Sequence, residues 1–346
     1  MAVFAADQSN FLESTRTTTQ CKWTVAIFAS RESAVTLKRT VAAAMDACKG
    51  SPSSIEILVN GNSRLSSEMT GIVQGLVVDS SNCTVNLWFI AGADKAHTWN
   101  AFLRSIANTS NLTFFVDGYV SLNADALALL KSALHENPDA LAATGVPTVG
   151  RTAKALRASM LAHGGIHGNL YAIRPEVLEK LKQADFALPI GLYRSDPFLG
   201  AMFSFNLDSA NYRWDSKRIF VHPLVSWQLS TAAVSMRSYA KTMWKRAVRQ
   251  GQGTLENIAL RDHLAVQRLP PHSVPRTVQE LISGWVKKNR STALAIFWKS
   301  PVTYYAYSKL LAAKPLADLG TCPVLLASTQ NSLTEVPSAG RTSDCQ

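Results

Sequence analysis

Short apolar runs alternate along this chain with stretches whose apolar residues recur at helical spacing. Thr24–Ala29 is a continuous buried-strand pattern. Ser30-Arg31-Glu32-Ser33 follows it, and then a segment with Leu37, Val41, Ala44, Met45 and Cys48 on one helical face. Ser51-Pro52-Ser53-Ser54 interrupts, Ile55–Val59 gives a second strand ending in Asn60-Gly61-Asn62-Ser63, and Val85–Ile90 a third. A helix from about Asp94 carries Trp99, Phe102, Leu103 and Ile106 and leads into Leu112-Thr-Phe-Phe-Val-Asp-Gly-Tyr-Val120. There the apolar run of a strand covered on both faces stops at Asp117-Gly118. The alternation resumes with an Asn123-capped helix through Leu127, Leu130 and Leu134, with Asp125 in its first turn.

Strands alternating with helices predict an α/β fold with a mostly parallel, doubly wound sheet. In such a sheet the carboxyl ends of the strands share one edge, where ligands bind. Ser30 to Glu32, Asn60 to Ser63 and Asp117 are therefore expected to meet at one cleft. Taken alone, Asp117 fits either a turn cap or a ligand for a metal or polar group.

The second half is less regular. Ala142–Val149, Leu170–Arg174 and Arg218–His222 are strand-like, and Gly164-Gly165-Ile166-His167-Gly168-Asn169 is a glycine-rich loop. Pro175 opens a helix, Ser195 is placed to cap another, and about Ser230 to Gln250 forms a basic helix. Beyond Pro270-Pro271, two amphipathic helices are expected at about Val274–Lys288 and Pro301–Ala313. A polar tail expected to be disordered follows from about Ser328.

The chain has 346 residues, 47% of them hydrophobic and 17% charged, which excludes a disordered protein and allows a sizeable core. Its formal net charge of +11 suits anionic partners. The charge thickens over Arg237, Lys241, Lys245, Arg246 and Arg249. Cys21, Cys48, Cys83, Cys322 and Cys345 are odd in number and lack CxxC spacing, so neither a disulfide framework nor a zinc site is indicated and a reducing, cytoplasmic setting is expected. Residues 1–20 lack the basic-then-apolar order of a secretory signal, and no apolar run is long enough to span a bilayer.

Several of these features, in this order, resemble the family 2 glycosyltransferases, inverting enzymes with a nucleotide-sugar-binding GT-A fold. The resemblance covers about residues 22 to 255. It rests on the strand ends at Arg31-Glu32 and Asn60-Gly61-Asn62-Ser63, the Lys95-Ala96 and Asn100 pattern, and Phe-Phe-Val-Asp-Gly-Tyr where that family has an Asp-x-Asp motif. It also rests on Gly164 to Gly168 with the following Leu-Tyr-Ala-Ile-Arg, and on Ser195-Asp196 where the family has Glu-Asp. The resemblance implies a GT-A-like, Rossmann-like mixed sheet flanked by helices, and a division into a flexible arm (1–20) and a transferase domain (21–255). That domain has a nucleotide-sugar half (about 21–125) and an acceptor half (about 126–255), followed by a helical extension (256–327) and the tail (328–346).

It further implies sugar transfer from a nucleotide-diphosphate donor to a glycan, lipid-linked sugar or small-molecule acceptor, assisted by Mg²⁺ or Mn²⁺. Asp196 would be the general base. Ser30, Glu32, Asn60, Asn62, Asn100, Asp117, Tyr119, Arg246 and Arg249 would contact the donor, and Gly165, His167 and Gly168 the acceptor. With Tyr119 in place of a second acid, Asp117 would hold the metal, and His222 resembles the extra metal ligand of some GT-A enzymes; a lone histidine equally fits a structural role. Asp196 equally fits a helix cap, and the arginines a solvated basic face. Two other readings stay open: an inactive sugar-nucleotide-binding relative, and a basic membrane- or nucleic-acid-binding protein. No nucleic-acid motif is present, while Trp285, Trp298 and Tyr304 to Tyr307 beside basic residues suit peripheral contact with an anionic membrane.

Overall fold

The computed structural model describes residues 22–76, 82–150, 152–229, 236–313 and 322–329. The N-terminal arm, the start of the basic helix and the C-terminal tail lie outside the described residues. Four parallel strands form the centre of the sheet: β1 (Trp23–Ala29), β2 (Ser53–Asn60), β3 (Cys83–Ile90) and β4 (Leu112–Asp117). They are joined through α1 (Ala34–Ala47), α2 (Ser63–Gln74) and α3 (Lys95–Ala101), the last continuing into a π-helical turn at Phe102–Ile106. Beyond β4 come a short β5 (Val120–Leu122), α4 (Ala126–Glu136), β6 (Ala142–Thr144), α5 (Ala153–His163) and β7 (Leu170–Ile173). The chain proceeds through α6 (Pro175–Gln183), α7 (Ser195–Ser204), β8 (Ile219–Val221) and β9 (Trp227–Leu229) to the long α8 (Met236–Arg261). It continues with α9 (Val278–Lys288), α10 (Arg290–Lys299), α11 (Pro301–Ala312) and β10 (Val324–Ser328).

The large sheet has eight strands in the order β10-β3-β2-β1-β4-β7-β6-β8. β7 runs antiparallel to β4 and β6, and β10 antiparallel to β3, so the sheet is mixed. The expected doubly wound α/β sheet flanked by helices is thus the observed one. Its two-faced burial is written in β1, where alternate side chains serve opposite layers. Val25 and Ile27 join the core under α1, α2 and α4, whereas Ala26 and Phe28 join the core shared with α3, α6, α7, α8 and α9.

Three features differ from the expectation. The strand-like Ala142–Val149 pairs only through Thr144, after which the chain turns off over Val225, where a Cβ on Gly145 would stand 2.8 Å from the Val225 carbonyl oxygen. The segment read as a helical extension ends instead in β10, which closes the β3 edge of the sheet. Cys322, on the approach to that strand, is disulfide-bonded, where the cysteine spacing indicated no disulfide framework; Cys48 and Cys83 are free.

Phe115 of β4 is the aromatic hub of one face. Its ring stacks on Tyr171 at 4.7 Å and 4°, and lies 5.6 to 6.2 Å from Phe102, Trp99 and Phe28. Because the packed strands leave the site no freedom to collapse, Phe115→Ala is expected to cost about 3–5 kcal/mol, read as a lowered urea midpoint at unchanged slope.

Candidate functional site

The register brings the strand ends level: Phe28 is opposite Asp117, Ala29 opposite Val59, and Val116 opposite Leu170. Because β7 is antiparallel, the glycine-rich loop before it opens at the same edge as the carboxyl ends of β1, β2 and β4. Gly118 makes the tight exit from β4 possible. Its N–H donates to the Phe28 carbonyl at 2.8 Å, and a Cβ there would stand 2.9 Å from that oxygen. Thr40 of α1 donates to the Gly118 carbonyl at 2.9 Å.

Asp117 is held by three groups of its own chain. Lys95, the first residue of α3, forms an ion pair with Oδ1. Tyr119 donates its hydroxyl to Oδ2 at 3.1 Å. With its amide oxygen accepting from Trp227 Nε1 at 2.8 Å, Asn169 donates to both Oδ2 (3.2 Å) and the Tyr119 hydroxyl (3.0 Å). Burial pulls the Lys95 ammonium down, but Asp117, with Asp196 and Glu32 behind it, outweighs burial and holds it above the ordinary lysine range. Burial first, and then the neighbouring Asp117 charge, push the Tyr119 phenol far up, so it stays a donor.

The first two strand ends are tied to each other. Glu32 Oε2 accepts from the Ser30 and Arg31 N–H groups at 2.6 and 2.9 Å. Ser30 Oγ donates to the carbonyl of the buried Asn60 at 3.1 Å. Asn62 donates to the Ser30 carbonyl at 2.7 Å and caps α2 by accepting from the Leu65 N–H at 3.0 Å. Asn62 therefore works as a cap. Asn100 is likewise buried, and its amide pairs both ways with the backbone of Leu188, at 2.9 and 2.8 Å. The Asn100 amide is thus occupied by backbone, against the expectation of a donor contact, while Asn62 also caps α2.

Asp196 lies in the first turn of α7, where a carboxylate is favoured by the helix dipole. The loop before it is fastened on two sides. From α3, Asn100 holds Leu188 and Asp94 accepts from the Gly191 N–H at 3.0 Å. From α8, Gln252 donates to the Gly191 carbonyl at 3.0 Å and Glu256 accepts from the Tyr193 N–H at 2.9 Å. Asp196 itself faces Arg194 at 3.5 Å, and Gly168 packs against it, with a Cβ position 3.5 Å from its Oδ1. Gly165 has φ +111°, which explains the glycine; its role is backbone shape. His167 lies against Trp227, ring centroids 4.7 Å apart, and its Nδ1 accepts from the Asn169 N–H at 3.2 Å. Burial lowers its pKa more than Asp196 and Asp117 raise it, so the ring is neutral with its proton on Nε2.

Arg246 and Arg249 fall on the α8 stripe that continues to Gly253 and Glu256. Gly253 is the point of contact with the fastened loop, its Cβ position 3.2 Å from the Tyr193 ring. Arg249 thus stands about 6 Å along the axis from that contact, and neither arginine is paired with a described carboxylate. The structure therefore gathers Ser30, Glu32, Asn60, Asp117, Tyr119, Gly165, His167, Gly168 and Asp196 at one edge, with Arg246 and Arg249 on the helix beside it.

His222 is elsewhere. Its N–H pairs with Thr144, and β6 and β7 separate it from β4, three strand spacings or about 14 Å. Its Nδ1 is occupied by the Leu224 and Val225 N–H groups, both at 3.2 Å. A shared ion needs ligand distances near 2.1 Å, so the expected Asp117 and His222 metal pair is not formed. Among the described residues, no group of three His, Cys, Asp or Glu is placed to hold a metal. The cationic position at Asp117 is already taken by Lys95, so the residues present do not fit Mg²⁺ or Mn²⁺ there.

Lys95, Asn169, Asp94, Gln252 and Glu256 were not singled out as site residues from the sequence. Two of them carried a signal: Lys95 begins the pattern that ends at Asn100, and Glu256 is the sole acid between Met236 and Arg261. Cavities of about 430, 450 and 620 Å³ lie elsewhere and are not lined by Lys95, Asp117 or Asp196.

Burial raises the Glu256 carboxyl to about 7, against the N–H groups of Tyr193, Gln252 and Arg194 that favour its ionised form. The folded chain therefore holds a proton there that the unfolded chain has lost, and this group's contribution to stability falls as pH rises from about 4.5 to about 7. Glu256→Gln keeps the acceptor and removes the titration. Compared with wild type, it is expected to flatten the loss of stability between pH 5 and pH 8 by up to roughly 3 kcal/mol, read from urea midpoints at both pH values.

No family model matches the chain, and no curated protein matches it in sequence. Among solved structures, it is similar to glucosyl-3-phosphoglycerate synthase from Mycobacterium tuberculosis in complex with Mn²⁺, uridine-diphosphate-glucose and phosphoglyceric acid. The two are 13% identical, with 72% of this chain and 81% of that one covered and a TM-score of 0.45. It is also similar to residues 1–349 of S. aureus TarS, at 10% identity, 84% and 90% coverage and a TM-score of 0.43. Likenesses this distant identify no family, so the function is argued from the site.

Proposed function

We propose that the chain is a glycosyltransferase that moves a sugar from a nucleoside-diphosphate donor to an acceptor hydroxyl with inversion. The observation that carries this reading is the Lys95–Asp117 ion pair at the carboxyl edge of the sheet, with Asp196 near enough to act on Lys95 electrostatically. A diphosphate leaving group needs fixed positive charge, and a displacement at the anomeric carbon needs a carboxylate on the acceptor side. The edge offers both.

In this reading Lys95 stands where a divalent ion would otherwise neutralise the diphosphate. Asp117, held by Tyr119 and Asn169, aims it, and Arg246 and Arg249 close over the phosphates from α8. Ser30, Glu32 and Asn60 border the nucleotide side, where Glu32 keeps Oε1 for a ribose hydroxyl. Asp196 takes the acceptor's proton as its oxygen bonds to the anomeric carbon and the bond to the phosphate oxygen breaks. His167, its Nε2–H a donor, and the backbone of Gly165 and Gly168 border the acceptor, which is a glycan, a lipid-linked sugar or a small molecule.

A uridine or guanosine diphosphate is expected to raise the melting temperature by a few degrees at about a hundredfold excess over its Kd, and to do so in EDTA. Lys95→Met is expected to abolish that shift, whereas binding that requires added Mn²⁺ and survives Lys95→Met removes Lys95 from this role. Asp196→Asn is expected to leave the shift intact and lower transfer about 10²- to 10⁴-fold; retained turnover assigns the base elsewhere.

A further inference from the structure

The last three helices leave an aromatic and aliphatic surface uncovered. Trp298 is 90% exposed and Leu294, one turn before it on α10, is 68% exposed. Ring contacts tie the three helices together. Phe297, next to Trp298, meets Tyr304 of α11 with ring centroids 5.5 Å apart. The adjoining Tyr305 meets Trp244 of α8, also at 5.5 Å. Met243 and Leu311 are exposed on the same helices. α8 and α11 are drawn together at Gly251, where a Cβ would stand 3.1 Å from Thr303 Cα. Large exposed apolar side chains gathered on several neighbouring helices mark an interaction site.

Charge selects the partner. Apart from Arg246 and Arg249, which belong to the site described above, residues 242–255 and 290–313 contain Lys245, Arg290, Lys299 and Lys309 and no aspartate or glutamate. None of these four is ion-paired with a described carboxylate. Trp and Tyr suit the interface between water and lipid, where ring and polar tip are both satisfied, and lysine and arginine beside them meet anionic headgroups. The exposed aliphatic Leu294, Leu311 and Met243 on the same helices favour acyl chains over nucleic-acid bases, which are met by stacking rings and a basic groove. Among the described residues no helix is long and apolar enough to cross a membrane, so contact is with the surface.

We propose that α10, α11 and the start of the described part of α8 form a docking face for an anionic lipid bilayer, with Trp298 and Leu294 entering the headgroup layer and Lys245, Lys299 and Lys309 holding the phosphates. The face is separate from Lys95, Asp117 and Asp196, and the proposal stands whether or not the chain transfers sugars.

Co-sedimentation of the full chain with phosphatidylcholine vesicles, with and without phosphatidylglycerol, tests it. Binding is expected to need phosphatidylglycerol and to weaken with salt. It is also expected to fall about tenfold or more in Leu294→Ser/Trp298→Ala and in Lys299→Glu/Lys309→Glu. All four positions are exposed, so unchanged urea midpoints show that the variants fold. Absence of binding to phosphatidylglycerol vesicles, binding indifferent to both double variants, or binding of a single-stranded oligonucleotide in place of vesicles would each overturn the assignment. So would a stable dimer in sedimentation equilibrium that both double variants dissolve.

Discussion

The ion pair between Lys95 and Asp117 is the constraint on which the rest of the candidate site depends. A carboxylate at the end of a strand covered on both faces cannot stay charged without partners, and here the partners come from three separate elements: Lys95 from α3, Tyr119 from the turn after β4, and Asn169 from the loop before β7. An exposed pair contributes about 0–1 kcal/mol, whereas removing one partner of a buried pair costs about 3–5 kcal/mol. This pair lies between the limits, since Asp117 is mostly covered and Lys95 partly open. That is the balance a ligand-facing cation needs. It is held firmly enough to be aimed, and open enough to be reached.

A second network positions the other half. The loop preceding α7 carries no regular structure, and its backbone groups are met by side chains from helices on either side of it, Asp94 and Asn100 from α3, Gln252 and Glu256 from α8. Asp196 inherits its place from those bonds. Because α3 also supplies Lys95, the same short helix fixes the cation and one anchor of the loop that carries the acid. The distance between Lys95 and Asp196 is thus set in part by one rigid element shared by both. Glu256 is the expensive member. Its carboxylate is buried for the sake of backbone N–H groups, and those bonds do not fully offset the loss of water.

Much of the fold was legible because burial on both faces leaves a plain mark. Thr24–Ala29, Ile55–Val59, Val85–Ile90 and Leu112–Val116 are runs that suit only the inside of a sheet, and each forms a parallel strand. Glycines were legible as well: Gly118 follows Asp117 because the chain must pass the Phe28 carbonyl, and Gly165 is forced by its positive φ. The asparagines carry local roles that residue type does not reveal. Asn62 and Asn100 have the residue type of a ligand reader, yet an amide mimics a peptide group equally well, and each is used by backbone distant in sequence or just beyond it. His222 failed for a related reason. Ending a strand near a sheet edge says nothing of how many strands lie between.

The sequence by itself determined the layer structure, the common edge at which the strand ends meet, and the position of Asp117 on it, because hydrophobic period and turn residues act locally. Only the tertiary structure decided what neutralises that acid. Strand order is set by packing between elements far apart in the chain, and it places β7 and β6 between Asp117 and His222 while bringing Lys95, twenty-two residues upstream of the aspartate, into direct contact with it. Opposite charges find each other through space, and residue spacing along the chain does not carry that information. An acid that the sequence offers as a metal ligand is, in the folded chain, one end of a built-in ion pair.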